Sequence, residues 1–367
     1  MRRTDRRRAR VLVAMSGGVD SSVAAGLLLR RGYDVVGVTL QIWQESQTDP
    51  RHSGCCSLGA VEDARRVARA LGIPHYVLNY RELFRDTVIQ NFVQEYAVGR
   101  TPNPCVQCNR FVKFDPLLER LDEFGAEALA TGHYARIRRT RDGRWALLSA
   151  RCTQKDQSYV LYMLQGAKLG RLMFPLGDLP DKDETRRLAS EWGLPVAFKP
   201  DSQEICFVSE AGGYREFLRN VSPGALEEGE MVSADGRPLG RHSGIAGFTI
   251  GQRRGLGISS RDGRPLYVIG IEPRERKVVV GPEKGLLKRS LTLEEVVWGP
   301  IGAVRSPLRV RAKIRSNMDP APARLVVDHD VRIVFDQPIR AITPGQTAVA
   351  YVGRTVVAGG TIASAHD

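Results

Sequence analysis

The chain of 367 residues has no run of 18 or so apolar residues, which excludes a membrane-spanning helix. Its opening, MRRTDRRRAR, has no apolar stretch behind the arginines except VLVAM. It is therefore not expected to be a secretory signal, and reads as a solvated basic tail able to touch nucleic acid. Cysteine is scarce, at six residues, and without a signal these are expected to be reduced thiols in a cytoplasmic protein. No second C-x-x-C and no close histidine pair completes a tetrahedral site, which argues against structural zinc. The Gly-Lys-Ser/Thr of a Walker A loop is missing, and so is G-x-G-x-x-G. There are no internal repeats or low-complexity tracts. Acids are outnumbered: 41 Asp and Glu face 54 Lys and Arg, for a formal net charge of +13. That excess raises the expectation of a polyanionic partner.

What is present begins with VLVAMSGGVDSS, Val11 to Ser22. Val11, Leu12 and Val13 suit a strand buried on both faces. Ser16, Gly17 and Gly18 turn the chain, and Asp20, Ser21 and Ser22 open a helix. Glycines allow close backbone approach to a ligand, and the free N–H groups of a helix start favour an anion. The string looks like the pyrophosphate loop, SGGxDS, of enzymes that split ATP into AMP and pyrophosphate. On its own it leaves the acceptor of the adenylate open.

Downstream, strands are expected at Tyr33–Leu40, His75–Asn79 and within EALATGHY (Glu127–Tyr134). Helices are expected at Val61–Gly72, Glu82–Gly99, about Asp115–Phe124 and Glu184–Pro195. TPNPCVQCNRFVKF, Thr101 to Phe114, reads as a Pro-bounded loop, as does the region Asp49–Ser57. Strands alternating with helices predict a doubly wound parallel sheet, with ligands beyond the carboxyl ends of its strands. SGGVDSS, Leu40 and TGHY all fall at such ends. ARIRRTRDGRWALLSA is a hairpin with Asp-Gly at its turn. From Thr131 to Lys155 seven basic residues (Arg136, Arg138, Arg139, Arg141, Arg144, Arg151, Lys155) face one acid, Asp142. Beyond Cys206 the sequence turns Gly-rich, and from about Leu291 short Val- and Ile-rich alternations predict a small β-barrel. The expected domains are 1–209, α/β; 210–284, small and β-rich; and 285–367, the barrel.

Cys105 and Cys108 form a C-x-x-C, and Cys206 follows in DSQEICF. Alone this allows a redox pair, half a metal site or an iron–sulfur ligand pair. Cys152 and the Cys55–Cys56 pair read as inert thiols. VAMSGGVDSS, PNPCVQCNRFVKF, ATGHYARI, KDQSYVLYML, DSQEICF and FTIGQRRGLGI, in this order and spacing, resemble the tRNA-specific 2-thiouridylase family. The match runs from about Arg10 to the end.

That resemblance implies an ATP-pyrophosphatase domain, a small central domain and a β-barrel, and ATP-dependent replacement of the C2 oxygen of the tRNA wobble uridine by sulfur. Carried over, Ala14, Met15, Ser16, Gly17, Gly18, Val19, Asp20 and Ser21, with Leu40 and Gly132, would hold ATP with Mg²⁺. Cys108 would be the nucleophile and Cys206 the persulfide carrier, the two ending as a disulfide. Asn103, Pro104 and Cys105 would contact the target base. His133, Lys155, Asp156 and Gln157 would contact tRNA near the site, and Arg315, Ser316 and Gln346 would do so from the barrel. The implied partners are the tRNA anticodon arm and a persulfide donor such as a cysteine desulfurase or sulfur-relay protein. Some family members carry Asp in place of Cys105, which admits a rival: Cys105, Cys108 and Cys206 holding a four-iron cluster. Ser316 also departs from the family, which often has an aromatic there. A different pyrophosphate-loop ligase would need an ammonia source, and there is no glutaminase domain. A non-catalytic RNA-binding barrel would leave SGGVDSS without a role.

Overall fold

The computed structural model describes residues 8–43, 58–201, 205–210, 213–222, 226–258, 263–303 and 307–367. Residues 1–7 of the basic tail, the Asp49–Ser57 loop with Cys55 and Cys56, and residues 202–204 lie outside the described residues. The chain divides into two compact units, Met1–Thr87 with Cys105–Glu210, and Val88–Pro104 with Ala211–Asp367.

The first unit is built on a parallel sheet. Its strands are β1 (Arg10–Ala14), β2 (Asp34–Gln41), β3 (His75–Asn79) and β4 (Ala128–Thr131), an antiparallel hairpin β5 (Ala135–Arg139) and β6 (Trp145–Ser149), and β7 (Leu172–Met173). The sheet order is β3-β2-β1-β4-β7, all parallel, so β1 is central. Val11, Leu12 and Val13 are at most 1% exposed, as expected for a strand covered on both faces. α1 (Val19–Arg30) lays Val23, Ala24, Ala25 and Leu28 into the sheet's core. α2 (Leu58–Leu71) buries Val61, Ala64, Val67 and Ala68, on one face. A side chain at Gly26 would stand 2.5 Å from the ring of Trp192, so that glycine admits the end of the helix Lys182–Glu191.

Several elements differ from the sequence reading. The stretch expected as a loop is largely helical: Pro104–Gln107 is a helix that runs on as a wider π turn, Cys108–Phe114. Pro104 misled because a proline in the first helical turn loses no hydrogen bond, its N–H having no partner there. The helix expected over Glu82–Gly99 is broken by a π turn at Arg85–Ile89. The one over Asp115–Phe124 is an α turn followed by a 3-10 turn, Leu121–Phe124, closed by Gly125 in the left-handed region. β7 is two residues long, too short to leave a pattern.

In the second unit a four-stranded sheet joins β8 (Gly229–Ser233), β9 (Pro238–His242), β10 (Tyr267–Glu272) and β11 (Lys277–Gly281) in the order β10-β11-β8-β9. Met231, Phe248, Leu256, Val268, Val278 and Val280 form its core. Six antiparallel strands then close a barrel: β12 (Leu287–Trp298), β13 (Leu308–Lys313), β14 (Ala321–Val327), β15 (Val331–Arg340), β16 (Thr347–Val352) and β17 (Thr355–His366). β12 pairs with both β15 and β17, which leaves the ring without an edge. Alternate residues such as Leu291, Leu293, Ile333 and Phe335 fill it. The helices Gln90–Ala97 and Tyr214–Val221 meet through Phe92 on Phe217 and Tyr96 stacked on Tyr214.

Candidate active site

The register of the central strands sets the site. Ala14, last in β1, pairs with Val38 on one side and Thr131 on the other, so the chain leaves the sheet between two strand ends. There the loop is closed by its own serines. The Ser16 N–H donates to Ser21 Oγ at 3.1 Å, while the Ser21 and Ser22 hydroxyls donate to the Gly18 carbonyl at 3.2 and 2.8 Å. Gly17 has φ +67°, and a Cβ there would lie 2.1 Å from the Ala60 carbonyl oxygen of α2, so only glycine fits. A Cβ on Gly132 would lie 2.5 Å from the backbone nitrogen of Ser21. Thr39 Oγ1 donates to the Met15 carbonyl at 2.7 Å and, its one hydrogen used, accepts from His75 Nε2 at 2.8 Å. Burial, and Arg65 less strongly, push the His75 pKa down and favour that neutral imidazole.

Charge around the loop is largely internal. Asp20 receives Lys182 Nζ on both oxygens at 2.7 Å and the Tyr134 hydroxyl at 2.9 Å. Lys182 also lies 3.0 Å from Asp201, which Lys155 and Arg186 approach at 3.1 and 3.2 Å. Burial works to raise the Asp201 pKa, but its bonds to Lys182 and Lys155 outweigh this and hold it low. Burial and the nearby Asp20 charge push the Tyr134 phenol up, so it remains a donor. Lys199 bridges the Gly17 carbonyl and Asp63. The helix carrying Lys182 starts on Asp181, whose carboxylate accepts the Glu184 N–H at 2.8 Å.

The loop and Asp20 border a cavity of about 180 Å³. Of the residues expected at ATP, Ala14, Met15, Ser16, Asp20, Ser21, Leu40 and Gly132 line it. Gly17 and Gly18 shape the loop, and Val19 is buried in the core behind it. His133 and Gln157, expected at tRNA, line the same cavity. Val38, Ile42, Lys113 and Thr131 do too, and sequence reasoning missed them. Val38 and Ile42 flank Leu40 at a spacing of two, so strand alternation was the available signal. Lys113 had none, because the loop reading assigned its segment no direction.

Both cysteines are tied to the cavity wall through near neighbours. Cys108 is buried and opens the π turn whose Lys113 faces the cavity and whose Phe114 packs on His133. Asn109, next to it, donates to the Val160 carbonyl at 3.1 Å. Cys206 begins the helix Cys206–Glu210. The adjacent Phe207 is 1% exposed against Phe84 and Trp43, and Trp43 directly follows the cavity residue Ile42. Cys105 is exposed and Cys152 buried. Among the described residues no group of three or more His, Cys, Asp or Glu is placed to hold a metal ion.

The remaining residues expected at tRNA have structural partners. Asp156 accepts from the Ala150 N–H and from the Ser158 N–H and hydroxyl. Gln157 takes the Tyr134 N–H, and Lys155 meets Asp201. In the second unit, Gln346 donates to the Thr101 and Pro102 carbonyls at 3.2 and 2.9 Å, bracing the chain just before Asn103 and Pro104. Arg315 donates to the Arg340 and Ala341 carbonyls, and Ser316 beside it is exposed. On the hairpin, Arg136 turns inward, its side chain 12% exposed and bonded to the Ser149 carbonyl. Arg138, Arg141 and Arg151 are exposed, with no side-chain partner among the described residues.

A parallel sheet whose first strand ends in a glycine-rich anion cradle, beside a recess lined by that loop, defines an ATP-binding α/β enzyme of the pyrophosphate-loop class. Family profiles match the chain in three segments: "tRNA methyl transferase HUP domain" at 9–210, "tRNA methyl transferase PRC-barrel domain" at 215–282 and "Aminomethyltransferase beta-barrel domain" at 288–362. The tRNA-specific 2-thiouridylase MnmA of Clostridioides difficile (strain 630) is 47% identical over 356 residues, 96% of this chain and 98% of that one. That of Heliobacterium modesticaldum is 48% identical over 357 residues, 96% of this chain and 92% of the relative. The chain belongs to the tRNA-specific 2-thiouridylase family. Among solved structures, a 4-thiouridine synthetase bound to RNA and ATP is similar at 22% identity and TM-score 0.36, over 54% of this chain and 45% of that one. No helix among the described residues is long and apolar enough to cross a membrane.

Proposed function

We propose that this enzyme thiolates C2 of the wobble uridine in tRNA, using ATP to activate the oxygen and Cys206 to deliver sulfur. The observation that carries the reading is the cavity at SGGVDSS, with Cys108 on the π turn whose Lys113 lines it and Cys206 beside Phe207, which packs on Trp43 next to the lining residue Ile42. The C2 carbonyl is a poor electrophile and its oxygen a poor leaving group. Transfer of AMP to that oxygen, with pyrophosphate released, cures both. The loop N–H groups and the start of α1 bear the phosphate charge. Both Asp20 oxygens are engaged by Lys182, so Mg²⁺ fits best as an ion carried in on the ATP phosphates.

The terminal sulfur of a Cys206 persulfide then attacks C2, and AMP leaves with the old oxygen. A Cys108 thiolate attacks the Cys206 sulfur, releasing the 2-thiouridine and leaving a Cys108–Cys206 disulfide. An external dithiol restores both thiols, and an external persulfide donor reloads Cys206. Arg138, Arg141 and Arg151 are the hairpin cations open to the anticodon arm. The test is incubation with ATP, a persulfide donor and uridine-34 tRNA, with 2-thiouridine read by nucleoside analysis. Product is expected with the wild type and none with Cys206→Ser. Undiminished product from Cys206→Ser would overturn the assignment.

A further inference from the structure

FTIGQRRGLGI, Phe248 to Ile258, has no part in the chemistry above, yet the second unit builds it with care. The Gln252 side chain fastens both ends of its turn: Oε1 accepts the Thr249 N–H at 3.2 Å and Nε2 donates to the Arg254 carbonyl at 3.0 Å. Gly251, Gly255 and Gly257 are all in the left-handed region, at φ +89°, +70° and +70°. Leu256 anchors the turn in the core under the four-stranded sheet. The result is a rigid ribbon carrying Arg253 and Arg254, both exposed and with no side-chain partner among the described residues.

Another cation, Arg215, stands beside Arg254. Arg215 donates from Nε to the Gly247 carbonyl at 2.8 Å and lies over the Phe248 ring. This fixes the guanidinium with its terminal nitrogens beside Gly255, where a Cβ would lie 3.9 Å from Nη1. Tyr214, Arg215, Thr249, Gln252, Arg254 and Gly255 together line an open recess of about 470 Å³ that holds no acid. The Thr249 hydroxyl meets that of Thr101 at 3.4 Å, two residues before Asn103. A pre-shaped turn that offers Arg215 and Arg254 to one recess, with Arg253 exposed next along the chain, matches a polyanion whose phosphates are spaced along a chain.

We propose that the Thr249–Gly255 turn and Arg215 form a phosphate-binding site for the tRNA strand that flanks the target uridine. This rests on the proposed function, since the strand is that of the thiolated tRNA. The Arg253 and Arg254 side chains have no hydrogen-bond or ion-pair partner among the described residues, so Arg253→Ala/Arg254→Ala leaves the fold intact, checked by circular dichroism and melting. Its affinity for the substrate tRNA is expected to fall about tenfold near physiological salt, and its log Kd against log salt slope by roughly 1.4, at about 0.7 per lost single-strand phosphate contact. Arg253→Lys/Arg254→Lys should recover most of the slope, and ATP binding should be unchanged. Unchanged tRNA affinity and slope, in an Ala variant made from a wild type that thiolates tRNA, would overturn this site and leave the function standing. A wild type that neither binds nor thiolates tRNA would overturn both. Loss of binding to inorganic pyrophosphate or ATP in the variant would assign the recess to a small phosphate ligand and overturn the proposal.

Discussion

Around the pyrophosphate loop, Lys155, Lys182, Arg186 and Lys199 are bound to Asp20, Asp63 and Asp201, and the Lys182 side chain is only 11% exposed. On the Thr249–Gly255 turn, Arg253 and Arg254 are exposed and have no acidic partner among the described residues. The same charge does different work in the two places. A cation enclosed between carboxylates is desolvated and directional, so it fixes backbone and side-chain positions and is costly to remove. A cation on a rigid exposed turn contributes little to stability and keeps its attraction for an incoming phosphate.

The difference can be broken first at the loop itself. Gly132→Ala places a methyl group against Ser21 N, and displacement of the cradle by about 1 Å is expected to lower ATP-dependent AMP formation on the order of 100-fold. Retained turnover would show that the cradle tolerates movement. Lys182→Met is next: it leaves Asp20 and Asp201 without their shared cation. A buried pair broken this way costs about 3–5 kcal/mol. With both carboxylates partly open to water, about 2 kcal/mol is expected, read from the denaturant midpoint.

The pH dependence of that variant sharpens the point. Asp201 has a folded pKa below its usual 3.8, so its stabilising share is present above that value and is lost as pH falls through the folded pKa. Lys182→Met should flatten the loss of stability below about pH 4. An equally steep loss would remove Asp201 from the cluster's role. The smallest effects separate two neighbours on the hairpin. Arg136→Ala should cost about 1 kcal/mol through its bond to the Ser149 carbonyl and leave the salt slope of tRNA binding unchanged. Arg138→Ala should do the reverse, within about 0.5 kcal/mol of wild-type stability. Equal behaviour would erase the distinction between enclosed and open cations.

The parallel sheet was legible because Val11–Val13 is an apolar run ahead of a glycine turn and α2 carries a regular helix-period pattern. The barrel was legible from the alternation in RVRAKIR and VRIVFD. The segment Thr101–Phe114 was not, since its two prolines, Pro102 and Pro104, read as breaks although Pro104 only begins a helix. Nor could the pattern of residues show Val88–Pro104 joining the C-terminal unit, because that depends on contacts far along the chain, such as Gln346 with Thr101.

What the sequence determined by itself is local: a glycine-serine turn after a buried strand, the residue types able to carry sulfur, and an excess of positive charge. Those follow from backbone freedom, thiol chemistry and counting. The tertiary structure decided which of these meet. It set Gly17 against Ala60 and Gly132 against Ser21, turned Cys108 inward while leaving Cys105 exposed, and divided the arginines into enclosed and open. Each is a matter of what packs beside a residue from elsewhere in the chain, which no local pattern encodes.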